Sequence, residues 1–205
     1  MSAEFEVTGL FYEANGYKFR KFLDIKLVGT TVSAPQLMVV MMNPGSSYPR
    51  NGIENNSVPS EAEPDNTQYQ IMKVMGSVSI EYARILNLSD LRTPDSNALY
   101  KFVKSEESKS ADHSIFSSGR QSELNQLFVK DVPVIFGWGV HPALVPLAKK
   151  AIESLSIQQP LGKQKINSEY SYYHPLPRVH SKQLEWVQDV TSQLISHLRC
   201  RTQQS

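Results

Sequence analysis

A single cysteine, Cys200, in 205 residues excludes an internal disulfide and any iron–sulfur or cysteine-ligated zinc site. No H-x-x-x-H and no paired-cysteine spacing offers metal ligands, so no metal and no cofactor is expected. There is no G-x-S-x-G nucleophile elbow, no G-x-x-x-x-G-K-[ST] phosphate loop, and no G-x-G-x-x-G after a strand. These absences argue against serine acyl transfer, nucleoside triphosphate hydrolysis and dinucleotide redox chemistry. No apolar run approaches the roughly 18 residues of a membrane span. The opening "MSAEFEVTGLFYEANGYKF" is acidic at its start and lacks a secretory apolar core. With one cysteine, a reducing cytoplasm is the expected compartment. A formal net charge of +1 is unsuited to a histone-like grip on DNA. It leaves a nucleic acid or nucleotide partner open, because charge distribution matters more than the sum. From Lys149 onward eight Lys/Arg face four Asp/Glu, an excess of 8 − 4 = 4 that reads first as a solvated surface. Nothing here fixes the oligomeric state.

What is present suits one buried core: 40% hydrophobic and 20% charged residues, with no internal repeat. Apolar and polar residues alternate on both sides of Asn15-Gly16, the strongest short hairpin signal. "LMVVMMN" (Leu37–Asn43) is apolar on both faces, as a covered parallel strand is. A Pro-, Gly- and Asn-rich stretch to Pro64 follows, and its length suggests a segment that orders over a ligand. Asp65 or Asn66 is placed to cap a helix carrying Ile71, Met72 and Met75. "YARILNLSDLR" reads as a second strand ending near Asn87, with a helix from about Asn97. "SEESKSADHS" reads as a solvated break with His113 exposed in it, and a helix follows around Gln121–Phe128. "VPVIFGWG" supplies a third strand, Val132 to Trp138. Beyond His141-Pro142, Leu144, Leu147, Ala148, Ala151, Ile152 and Leu155 form one helical stripe. "SEYSYYHP" is the fourth strand candidate, before a last amphipathic helix with Leu184, Val187, Val190, Leu194 and Leu198.

Strands alternating with helices predict an α/β single domain, a central four-stranded parallel sheet flanked by helices. Residues 1–35 would be an N-terminal hairpin extension, 36–198 the core and 199–205 a flexible tail. Ligand sites in such sheets lie beyond the C-terminal strand ends. Asn43, Asn87, Trp138, His141 and His174 would all stand there and converge on one crevice. Each has a plainer reading: Asn43-Pro44-Gly45 is ordinary turn chemistry, and His174 before a proline suits a satisfied core histidine. His180 and His197 read as surface residues. Amides, one histidine and backbone N–H groups would nonetheless read a planar polar ligand and stabilise negative charge developing on it.

The ordered motifs "VMMNPGSS", "ARILNLSDLRT", "VPVIFGWGVH" and "YHPLPR" resemble those of the uracil-DNA glycosylase superfamily, and more closely the family called domain of unknown function 1643. The resemblance spans roughly Gly16 to Leu198. It implies that Asn43 positions an attacking water and His174 stabilises the departing base anion. It further implies that Gly45, with Pro44, Ser46 and Ser47, brings backbone close to the substrate, and that Asn87 reads the base edge. Pro175, Pro177 and Arg178 would press on the nucleic-acid backbone, with Tyr48 and Trp138 as stacking candidates and His141 beside them. The first motif lacks the Asp of the most active glycosylases, so it supplies no strong base for water. Two readings follow: a glycosylase-like hydrolase acting on a base in DNA or a nucleotide, or a non-catalytic module binding a base, nucleic acid or protein in the same crevice.

Overall fold

The computed structural model describes residues 4–55 and 57–202. Strands β1 (Phe5–Ala14) and β2 (Tyr17–Leu27) form the hairpin, turning through Asn15 and Gly16 with φ of 52° and 76°. Two positive φ values make the primed turn whose twist matches the strands, and Asn-Gly is the pair that tolerates it. The other strands are β3 (Leu37–Met41), β4 (Tyr48–Pro49), β5 (Ser60–Glu63), β6 (Tyr82–Asn87) and β7 (Val134–Gly137). One seven-stranded sheet results, in the order β4-β5-β1-β2-β6-β3-β7.

This corrects the expected four-stranded parallel sheet. Only β6, β3 and β7 run parallel, while β2 pairs antiparallel with β6. The hairpin is therefore central to the sheet rather than an extension of it. Arg84 on β6 clamps it, donating from Nε and Nη2 to both oxygens of Asp24 on β2 at 2.7 and 2.8 Å. The fourth candidate, around Tyr172, makes only isolated bridges to Gly139 and Gln164. The edge of β7 is already taken: Phe136 N–H donates to Leu161 O, and Leu161 N–H to Val134 O, both at 2.8 Å.

Helices α1 (Asn66–Ser77), α2 (Ser96–Val103), α3 (Glu106–Ser110), α4 (Gln121–Leu127), α5 (Val145–Leu155) and α6 (His180–Thr202) cover both faces. Alternate residues of β3 divide the core. Leu37, Val39 and Met41 pack with Ile71, Met75, Trp186 and Val190 of α1 and α6. Met38 and Val40 pack with Leu99, Phe102, Leu124 and Ala148 of the opposite layer. The stretch expected to be a solvated break contains α3, capped by the Ser105 side chain, and His113 beyond it is buried. The segment after Gly45 is anchored at several points. β4 pairs with β5 and β5 with β1, while Arg92 Nε donates to Ser47 O at 2.9 Å and Arg92 pairs with Glu54. Helix α6 continues through Thr202, into the stretch read as a tail; residues 203–205 lie outside the described residues.

Candidate functional site

The C-terminal ends of β3 and β6 open into a cavity of about 250 Å³ whose lining includes Asn43, Gly45, Ser46, Asp65, Thr93 and His174. Asn43 follows β3 and is buried. Its Nδ2 donates to the carbonyls of Leu91 and Thr93 at 3.1 and 2.8 Å, which fixes the loop after β6 and leaves Oδ1 as its available acceptor. Gly45 has φ of +64°, and a Cβ there would stand 2.7 Å from Asp65 Oδ2. Backbone and carboxylate approach this closely because Gly45 has no side chain.

Asp65 caps α1. Its Oδ1 accepts from the N–H groups of Thr67 and Gln68 at 2.9 and 3.2 Å, and Gln68 Oε1 accepts from Asp65 N–H at 2.8 Å. That capping box orients the side chain and turns Oδ2 toward Gly45. His174 is half-buried, and its Nδ1 accepts from Leu176 N–H at 3.1 Å, so the proton sits on Nε2. Burial holds the ring's pKa below its ordinary value of 6.5 against the opposing pull of Asp65. A neutral ring with one free N–H donor results at pH 7.

Asn43, Gly45, Ser46 and His174 are thus brought together. Asn87 ends β6 in register with Met41, a cavity-lining residue, but is itself fully buried, with neither amide atom hydrogen-bonded. Ser47 is buried and its hydroxyl likewise unpartnered. The other candidates stand apart. Trp138 is fully buried, gives its N–H to Tyr170 O at 2.8 Å, and packs on Phe136 and Tyr172 as a core residue. Exposed His141 stacks on Tyr100 at 3.7 Å, and Tyr48 is half-exposed on β4. Pro44 is buried, while Pro175 is buried against Gly137. Pro177 offers its carbonyl to Gln183 Nε2 at 2.8 Å, and Arg178 is exposed.

Sequence reasoning sees Asp65 only as a helix cap and misses the carboxylate at the cavity wall; nothing in the local pattern marks it as facing Gly45. Among the described residues no group of three His, Cys, Asp or Glu is placed to hold a metal ion. No helix there is long and apolar enough to cross a membrane.

Fold and cavity together define a mixed α/β protein with one small polar site at the ends of its parallel strands. The chain belongs to the family described as protein of unknown function DUF1643, which matches residues 26–176. No curated protein and no solved structure matches it. The likeness to uracil-DNA glycosylases therefore rests on the four motifs.

Proposed function

We propose that this protein recognises a nucleobase and hydrolyses its N-glycosidic bond, in DNA or in a nucleotide. The observation that carries this reading is that His174, Asp65 and Asn43 line one small cavity. At about 250 Å³ the cavity falls below the ~300–1,000 Å³ typical of drug-sized sites, which suits a single ring system. A base inside a duplex would have to be flipped out to enter it. In the reaction, the bond from sugar C1′ to the base nitrogen breaks and its electron pair leaves with the base. The His174 Nε2–H donates a hydrogen bond to the resulting anion. A water aligned by Asn43 Oδ1 attacks C1′ and passes its proton to the Asp65 carboxylate, the base that the first motif lacks. Exposed Arg178 would contact phosphate.

The test is base release from uracil, hypoxanthine, mismatched thymine and phage-modified DNA. His174→Ala should lower turnover about a hundred- to a thousandfold, the usual cost of one preorganised donor, while leaving substrate binding nearly unchanged. Substrate binding without base release from any of these would favour the second reading, a non-catalytic base-binding module. One observation favours that reading: both Asn43 N–H donors are engaged by loop carbonyls, as a structural asparagine's would be.

A further inference from the structure

Arg20, on β2, is fully buried, and none of its three guanidinium nitrogens has a hydrogen-bond partner. Its backbone is held, with the amide donating to Asp90 O at 2.9 Å. A buried guanidinium ordinarily gains its place by bidentate pairing, because an unpaired buried charge is among the costliest features a fold can carry. Burial pulls its pKa down to about 10, with the attraction of Asp65 outweighing the repulsion of Arg92, so it stays charged at neutral pH. It is not alone. Asn87, at the end of the neighbouring strand β6, has both amide atoms unpartnered, as are Ser47 Oγ and Gln68 Nε2.

None of these side chains lines the open cavity, but each is linked to a residue that does, and Arg20 lies within electrostatic reach of Asp65. Asn87 is in register with Met41, Ser47 follows Gly45 and Ser46, and Gln68 holds Asp65 in its capping box. Met41 both lines the cavity and stands beside Asn87 in the sheet, and its side chain is unbranched and adaptable.

We propose that Arg20, with Asn87 and Ser47, forms the inner recognition wall of this site and binds a planar group whose single negative charge is shared by two adjacent acceptors. The donors select that shape. Arg20 offers only N–H groups in a flat fork, whereas Asn87 and Ser47 can each donate or accept. Asp65 on the same cavity repels a dianion such as phosphate more than a singly charged group. Two ligands share the required chemistry: a carboxylate, and a nucleobase anion freed at its glycosidic nitrogen. The second rests on the glycosylase reading above; the first does not.

The experiment is calorimetric titration of the full chain with benzoate, uracil (which must release its glycosidic-nitrogen proton to the buffer to bind as the anion) and inorganic phosphate, on wild type and Arg20→Met. Binding of benzoate or uracil that weakens at least about tenfold in Arg20→Met is expected, with the two arms separating carboxylate from base anion. Arg20→Met should melt at or above the wild-type temperature, because an unpaired buried charge is replaced by an apolar side chain of similar length. If that variant does not fold, Arg20 was structural and the proposal falls. Arg20→Lys, which keeps charge but loses the fork, supplies the same binding comparison. Binding of phosphate alone, undiminished binding in the Arg20 variants, or no binding by any probe would overturn it. Base release that persists unchanged in Arg20→Met sinks this inference and spares the glycosylase reading. Arg20-dependent benzoate binding without base release does the reverse.

Discussion

Replacing Gly45 by alanine tests the approach of backbone to carboxylate on which the site depends. Two costs apply. At φ of +64° an L side chain is strained by about 1–2 kcal/mol, less about 0.4–1 kcal/mol recovered from a stiffer unfolded chain. At Gly52, with φ of +71°, a Cβ would meet nothing within 4 Å. Alanine there carries only the backbone cost, a net of about 0.5–1 kcal/mol. At Gly45 the new Cβ would also stand 2.7 Å from Asp65 Oδ2. The carboxylate must then move and loosen the cap on α1, for about 1 kcal/mol more. Urea unfolding should therefore show Gly45→Ala destabilised by about 2 kcal/mol, clearly beyond Gly52→Ala, with an unchanged slope. Asp65→Ala removes the obstacle, so the double variant should cost about 1 kcal/mol less than the sum of the singles. Independent sites add to within about 0.3–0.5 kcal/mol. Equal losses at Gly45 and Gly52, or strict additivity with Asp65→Ala, would refute the contact.

Two other substitutions test the frame around the site. His113 is buried, with Nδ1 2.8 Å from Ser89 Oγ, and burial lowers its pKa to about 4, with Lys150 and Arg120 also lowering it and Asp112 opposing. Unfolded histidine titrates near 6.5, so its contribution is complete above about pH 6.5 and drains as pH falls toward 4, by about 3 kcal/mol. The stability difference between wild type and His113→Gln should shrink or reverse over that window; parallel pH profiles would contradict it. Gly162→Ala should cost more than about 2 kcal/mol by denaturant unfolding, since φ is +130° and a Cβ would overlap the Phe136 carbonyl oxygen.

Much of the architecture is legible in the sequence because it is written locally. Asn15-Gly16 dictates its own turn, and the all-apolar Leu37–Met41 could only be a covered strand. The failures share one cause: they depend on contacts distant in sequence. "SEYSYYHP" alternates like a strand, yet the β7 edge belongs to Leu161, whose "QQPLGK" surroundings carry no strand signal. Trp138 stands just past the end of β7, where a stacking residue could reach a ligand, but it is fully buried in the core. Asp65 reaches Gly45 only because β4 and β5 reverse the chain between them. Arg20 sits in an alternating strand, where a charged residue reads as solvent-facing, until the surrounding elements close over it.

The central position of the hairpin has a practical consequence for anyone trimming this chain. The family-matched stretch starts at residue 26, one residue before β2 ends, and stops at 176, before α6 begins. Cutting there would strip β6 of the partner it holds from Leu23↔Ile85 to Ile25↔Ala83, baring a row of backbone donors and acceptors. It would also uncover the apolar layer that Trp186, Val190 and Leu194 of α6 seal. An open strand edge beside a bare hydrophobic face is a template for self-association. The smallest piece of this molecule that keeps its sheet paired and its core covered is therefore longer at both ends than the stretch by which its kinship is recognised.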